Sequence, residues 1–213
     1  MSEVQAHGFT WEKDILKNVY GATQEDLGAI NYTSKMDFPA NLNRLNPVDL
    51  SIKTTGSSSS VCMGSCLRFF DEVTSGQPIH LVVIQYKQEE NIKRLVNVVE
   101  VDLTSAPIFG ILTLEQLQSL NDAVIAVPHK RKPTPEEYDK MYGIRNSLQP
   151  LSSHIRLDIK CNHEQSRLQC SFNHFQDFLK AYPERIISRS TTGDFRGGKI
   201  MEAVVSARRV FRR

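Results

Sequence analysis

The apolar, β-branched run at residues 79–86, IHLVVIQY, constrains the fold more than any other feature of this sequence. A nearly continuous run of this length is typical of a central strand that is covered on both faces. A charged turn, QEENIKR, follows it, and residues 95–103, LVNVVEVDL, form a second strand-like run. The short connection favours an antiparallel hairpin. We therefore expect a β-sheet with these two strands near its centre.

Helical spacing of apolar residues predicts helices on both sides of this hairpin. They cover residues 10–27 with a break at Gly21, 61–73, 112–124 with Thr113 as N-cap, a segment from Pro135, 173–181 and 199–209. Further strands are predicted at 48–54, 154–162 and 166–172. Since the chain has no internal repeat and no long linker, we expect one α/β (α+β) domain over residues 1–213. Its mixed central sheet is flanked by helices, and its C-terminal segment is basic.

Composition excludes several classes of protein. The chain is 40% hydrophobic and 23% charged, which fits a globular fold and neither a disordered nor a fibrous one. The N-terminal residues lack the pattern of a secretory signal, and no apolar stretch approaches the roughly 20 residues that cross a bilayer. The four cysteines do not form a compact disulfide framework. We expect a soluble cytoplasmic protein with reduced cysteines and no membrane partner.

The most informative segment is residues 36–53, MDFPANLNRLNPVDLSIK. Its end alternates like a strand, so that Asp49, Ser51 and Lys53 share one face. Asp37 approaches them from the preceding extended segment. Hydrolysis of a phosphodiester needs hard oxygen ligands for a divalent ion and a cation that offsets developing negative charge. The spacing therefore predicts one metal site around Asp37, Asp49 and Lys53.

These residues, with the blocks VDLSIKTTGSSSSVCMGSCLRFF, HLVVIQYKQ and HIRLDIKCNHEQSRLQCSF, resemble the PD-(D/E)xK nuclease superfamily, and type II restriction endonucleases in particular. The resemblance implies that Asp37 is the first aspartate and Lys53 the catalytic lysine. Ser51 stands where the family usually has an acid. Asp49, or else Glu25 or Asp26 of the first helix, would supply that carboxylate.

The same resemblance implies Mg²⁺ as cofactor, with Asp37 and Asp49 as its ligands. It implies cleavage of double-stranded DNA at a specific sequence with 5′-phosphate ends, as part of a restriction system. A palindromic target would call for a two-fold homodimer, because symmetric sites are matched by symmetric proteins.

Two alternatives remain open from the sequence. A second placement of the motif takes Asp49 as first aspartate, with Gln85 and Lys87 on the next strand as its other members. The other alternative is a non-catalytic DNA-binding or accessory protein that keeps the fold with a degenerate site, which Ser51 favours.

Further residues are candidates for DNA contacts. Hydroxyls in the loop after Lys53 and cations in the C-terminal segment suit phosphates, whereas Arg and Gln side chains on one strand face suit base edges. The candidates are Thr55, Ser57, Ser58, Arg167, Gln169, Arg189, Arg196 and Lys199.

Overall fold

The computed structural model describes residues 3–29, 37–56, 60–128, 131–161 and 165–205, with side chains described from Thr10 onward in the first range. The helices are α1 (Glu3–Asn18), α2 (Gln24–Ala29), α3 (Cys66–Thr74), α4 (Leu114–Ile125), α5 (Pro135–Leu148) and α6 (Phe175–Ala181). The strands are β1 (Asp49–Thr55), β2 (Ser60–Ser65), β3 (Ile79–Glu89), β4 (Ile92–Asp102), β5 (Ile155–Cys161), β6 (Ser166–Asn173), β7 (Ile186–Ser190), β8 (Asp194–Phe195), β9 (Gly198–Lys199) and β10 (Ala203–Val205). The predicted mixture of helices and strands is confirmed. Within the described ranges, no helix has the length and apolar character that crossing a membrane requires.

The largest sheet is mixed and contains the predicted central hairpin. Its strand order is β1-β3-β4-β10, and β7 also pairs with β4. β3 and β4 pair antiparallel, as expected from their short connection. β1 pairs parallel with β3, from Asp49 opposite Ile79 to Thr55 opposite Gln85. β3 therefore has a neighbour on each side. Its residues 79–84 are all buried, so both faces of the strand are covered there, which explains the nearly continuous apolar sequence.

Helix α1 packs its apolar stripe on one face of this sheet. Trp11, Ile15 and Tyr20 are fully buried and belong to the same cluster as Leu50 and Ile52 of β1. The helix ends before Gly21, whose φ of 75° is a backbone conformation that favours glycine. The predicted break at this glycine is confirmed, and the chain resumes in α2.

A second sheet is antiparallel and contains strands that are not part of the first sheet. Its strand order is β2-β6-β5. Helix α3 contacts β2 and β6, and α4 contacts β6 and α5. The expectation that all strands share one sheet is therefore wrong, since the described strands form a five-stranded, a three-stranded and a two-stranded sheet.

Two predicted helices are also wrong in part. Residues 61–73 begin as a strand, because Val61 and Met63 alternate inward and Gly64 takes a φ of 82°, and helix α3 starts only at Cys66. In the C-terminal segment, β9 and β10 replace the helix expected at 199–209. β10 pairs antiparallel with β4, a contact far away in sequence, and residues 206–213 lie outside the described ranges.

The described residues fall into two compact units. One unit combines residues 1–58, 78–104 and 179–213 and contains the five-stranded sheet with α1. The other combines residues 59–77 and 105–178 and contains the three-stranded sheet with α3, α4 and α5. Each unit is built from separate segments of the chain. The single domain expected over residues 1–213 stays a prediction.

The N-terminus of α4 offers a test of this local structure. Thr113, the predicted cap, accepts a hydrogen bond from the Gln116 backbone N–H, and the Gln116 side chain accepts one from the Thr113 N–H. Because such a capping box satisfies two otherwise unpaired donors, Thr113→Ala should lower the free energy of unfolding by about 1 kcal/mol. Urea denaturation measures this. Ser119→Ala, an exposed site in the same helix, is the control and should change stability much less.

Candidate functional site

Asp37 is fixed at the outer edge of β1 by its neighbour Phe38. Phe38 is fully buried and forms a β-bridge with Leu50, donating its N–H to the Leu50 carbonyl at 3.1 Å and accepting the Leu50 N–H at 2.8 Å. Burial of an aromatic ring stabilises this arrangement, since such side chains contribute roughly 1.5–3 kcal/mol on leaving water. The preceding residue, Asp37, is therefore held beside the middle of β1.

Three donors from β1 converge on one oxygen of Asp37. Its Oδ2 accepts hydrogen bonds from Lys53 Nζ at 2.6 Å, the Ile52 backbone N–H at 2.6 Å and Ser51 Oγ at 3.3 Å. Lys53 and Asp37 are both partly buried, with side chains 21% and 28% exposed. The structure thus brings together Asp37, Ser51 and Lys53. Their roles in metal binding and catalysis stay predictions.

Glu12 of α1 joins this cluster. Partial burial, followed by the negative charge of Asp37, raises the pKa of Glu12 to about 7, although the positive charges of Lys53 and Lys13 act in the opposite direction. A carboxyl group with this pKa is half-protonated near neutral pH. Glu12 is therefore close enough to Asp37 and Lys53 for their charges to act on it.

Of the two helix carboxylates that the sequence offered for the site, Asp26 is engaged with other partners. Asp26 accepts hydrogen bonds from the Thr23 N–H at 2.7 Å and from Arg44 Nη1 at 2.7 Å. The Thr23 backbone and then Arg44 lower the pKa of Asp26 to about 2. Glu25 is exposed on the same helix, α2. Glu12 had a detectable signal, since it flanks the apolar stripe of α1 next to the buried Trp11.

Asp49 faces a different partner. It begins β1, and its Oδ1 accepts the Ala40 backbone N–H at 2.7 Å. It therefore closes the turn that follows Phe38, and no contact with Asp37 or Lys53 is found. Within the described ranges, no group of three or more His, Cys, Asp or Glu side chains is arranged to hold a metal ion. The metal-ligand pair Asp37 and Asp49 stays a prediction.

The second placement of the motif does not fit the register of the sheet. Asp49 lies opposite Ile79 at the start of β3, whereas Gln85 lies opposite Thr55 at the far end of β1. Six residues of extended strand span about 20 Å. Lys87 is 72% exposed and lies 3.5 Å from Glu89. Asp49 and the Gln85–Lys87 pair therefore cannot share one metal ion in this fold.

The predicted base-reading residues lie on one face of the three-stranded sheet. In its register Lys160 is opposite Arg167 and Asp158 is opposite Gln169. Arg167 is exposed, whereas Gln169 is buried. Arg156, on the same face, binds Asp158 at 2.8 Å. The loop residues Ser57 and Ser58 lie outside the described ranges, and Thr55 ends β1.

The C-terminal candidates have separate surroundings. Arg196 lies 3.4 Å from the fully buried carboxylate of Glu100, which also contacts His80 Nδ1 at 2.7 Å. Arg196 and Gly197 form a two-residue turn in which both have positive φ, and this turn places the Arg196 guanidinium near Glu100. Arg196 therefore compensates a buried charge, an internal role that the sequence did not indicate. Lys199 is exposed in β9.

Comparison with known proteins adds no relative. No family model matches the chain, and no curated protein and no solved structure matches it either. A functional argument therefore has to start from the geometry around Asp37 and from the sequence resemblance.

Proposed function

We propose that this protein is a Mg²⁺-dependent endonuclease that hydrolyses phosphodiester bonds of double-stranded DNA, of the PD-(D/E)xK, type II restriction class. The observation that carries the proposal is the 2.6 Å contact between Lys53 Nζ and Asp37 Oδ2 beside the Glu12 carboxyl group. An aspartate, a lysine on the neighbouring strand and a second acid are the three chemical groups that the family resemblance implies, and the acids would hold the metal ion.

The donors at this site suit a magnesium ion. Mg²⁺ in proteins is commonly held by one or two carboxylates together with substrate phosphate and water. Glu12 and Asp37 provide two carboxyl groups. Burial, and then the negative charge of Asp37, raise the pKa of Glu12, and a bound cation would offset both effects. Oδ1 of Asp37 accepts no hydrogen bond from a described residue, so it is available to such an ion. When bound, Mg²⁺ supplies Lewis-acid stabilisation of charge on the phosphodiester.

The protein groups around the ion have distinct tasks. The Ile52 N–H and Ser51 hydroxyl hold Oδ2 of Asp37 and so orient its other oxygen. Lys53 offsets negative charge that develops on the phosphate, or holds the attacking water. Glu12 replaces Asp49 in this proposal as the second metal ligand, because Asp49 is engaged with Ala40. In this proposal Glu12 supplies the acid that the family usually has at position 51, so the serine there is compatible with activity.

The substrate side of the proposal follows from the resemblance. Duplex DNA would be cut at a specific sequence, leaving 5′-phosphate ends, and a palindromic site would require a homodimer. Of the two predicted base-reading residues, the exposed Arg167 is the candidate for this role, whereas the burial of Gln169 does not favour it. The cytoplasm is the compartment in which such an enzyme of a restriction system would act.

One observation favours a second function, namely that Ser51 stands where the family has an acid. A non-catalytic DNA-binding or accessory protein with a degenerate site is the alternative.

Plasmid cleavage tests the first function against the second. The purified protein should linearise or fragment supercoiled and phage DNA in Mg²⁺ and do neither in EDTA. Asp37→Asn should abolish the Mg²⁺-dependent activity and keep duplex binding. Duplex binding without cleavage of any DNA tested, in either Mg²⁺ or Mn²⁺, would favour the accessory protein.

A further inference from the structure

A row of polar side chains crosses the sheet next to Lys53. Thr55 on β1 lies opposite Gln85 on β3, and Gln85 lies opposite Asn97 on β4. Residues paired in register point to the same face of a sheet, and Lys53 shares this face because it precedes Thr55 by two positions. The polar row therefore begins beside the candidate site and runs across three strands.

Arg189 stands at the other end of this row. It lies on β7 opposite Val99, which is opposite Val83, which is in turn opposite Lys53. Arg189 and Lys53 therefore occupy the same face and the same register level, separated by three strand spacings, or about 14 Å. This separation corresponds to a few nucleotides along one strand of B-form DNA, which rises 3.4 Å per nucleotide. Val83 and Val99 between them are buried, so the accessible path passes over the partly exposed Thr55 and Gln85 of the polar row.

Asn97 orients this arginine. The Asn97 side chain is buried, and its Oδ1 accepts a hydrogen bond from Arg189 Nε at 3.2 Å. A buried amide costs free energy unless it is hydrogen-bonded, so Asn97 and Arg189 are coupled. With Nε held, the two Nη groups of the exposed guanidinium stay available as a donor fork.

Most exposed arginines of the described residues are paired with a carboxylate. Three of them lie within 3 Å of one, namely Arg44 with Asp26, Arg94 with Glu89 and Arg156 with Asp158, whereas no ion pair to a described carboxylate is found for Arg167 or Arg189. Arg189 forms its hydrogen bond with a neutral amide, and no ion pair to a described carboxylate is found for it. Its positive charge is therefore uncompensated within the described residues, as a phosphate-binding site requires.

We propose that Arg189, positioned by Asn97, binds a backbone phosphate of the same duplex whose scissile phosphate lies at Asp37 and Lys53. Asn97 is then a positioning residue that acts through Arg189. This inference rests on the proposed nuclease function and adds to it the track along which the substrate lies.

Duplex binding over a salt series tests this track. Fluorescence anisotropy with a random 30-base-pair duplex in Ca²⁺ compares the wild type with Arg189→Ala, Arg189→Lys and Asn97→Ala. Losing one phosphate contact should weaken binding by on the order of tenfold and reduce the slope of log K against log salt by about 0.9. Arg189→Lys should keep the slope but lose part of the affinity. Arg94→Ala removes an exposed arginine of the same sheet and should match the wild type.

The double variant Asn97→Ala/Arg189→Ala provides the readout of positioning. If Asn97 acts through Arg189, the double variant binds no more weakly than Arg189→Ala alone. Additive losses would overturn the role of Asn97. If the wild type binds duplex but Arg189→Ala keeps its affinity and salt slope, the track is refuted while the nuclease proposal stands. If the wild type binds no duplex at low salt, both are refuted.

Discussion

Lys53→Ala should lower the rate of plasmid cleavage by on the order of a thousandfold and leave duplex binding largely intact. The ammonium group lies 2.6 Å from Asp37 Oδ2, and its positive charge also acts on Glu12. Removing one preorganised group that stabilises transition-state charge typically costs about 10²–10³ in rate. Lys53→Met, which keeps most of the side-chain volume, should lose activity to the same extent. Initial rates in saturating Mg²⁺ measure the effect.

Lys87→Ala is the matched control for this experiment. Lys87 lies on β3, is 72% exposed and contacts only Glu89 among described residues. Its loss should leave cleavage unchanged. If Lys87→Ala abolishes cleavage and Lys53→Ala cuts normally, Lys53 is not the catalytic lysine and the proposed Asp37 site is wrong.

Glu12→Gln should have opposite effects on stability and on activity. The pKa of Glu12 is about 7 in the folded protein against an ordinary value of 4.5, so folding favours the protonated form. This contribution to stability is complete below pH 4.5 and is lost as the pH rises through 7. Glutamine carries no charge at any pH. Above pH 7 the variant should therefore be more stable than the wild type by about 1–2 kcal/mol, a value discounted for partial exposure.

Urea unfolding in EDTA at pH 4.5 and pH 8 measures the stability difference, which should vanish at the lower pH. The same variant should cleave DNA far more slowly, because it lacks a metal ligand. Glu25→Gln changes an exposed carboxylate and should alter neither quantity. Equal stability of Glu12→Gln and wild type at both pH values would contradict the raised pKa of Glu12, and with it the burial of this side chain and the influence of Asp37. If Glu25→Gln loses cleavage and Glu12→Gln does not, Glu25 rather than Glu12 is the helix carboxylate that the reaction uses.

Local patterns predicted the elements whose burial is periodic. The alternation of Leu50 and Ile52 gave β1, and the continuous apolar run gave β3. The α4 cap at Thr113 also follows from local chemistry. In each case the residues that decide the structure lie within a few positions of one another, which is the condition for reading them from sequence.

Long-range pairing explains what the sequence did not reveal. β2 forms because Val61 pairs with Phe172, and β10 forms because it pairs with β4, whereas both segments have helical features taken alone. The same reason hides the buried Glu100, which is compensated by His80 and by Arg196 from a distant turn. Such tertiary contacts override local propensity.

The candidate site was partly predictable for the same reason. Period-two spacing placed Ser51 and Lys53 on one face, and Asp37 lay close enough along the chain to reach them. Glu12 comes from a helix whose packing on the sheet depends on the whole hydrophobic cluster. The spacing of residues along the chain therefore does not predict which helix carboxylate lies near Asp37.

A divalent-metal soak tests the central claim most directly. Crystals of the wild-type protein soaked in Mn²⁺ and measured at the manganese absorption edge should give an anomalous peak in contact with the carboxyl groups of both Glu12 and Asp37. Crystals of Glu12→Gln should lose it under the same conditions. A wild-type map without a peak at these carboxyl groups, with Lys53 still paired to Asp37, would contradict the metal site and the nuclease proposal that depends on it.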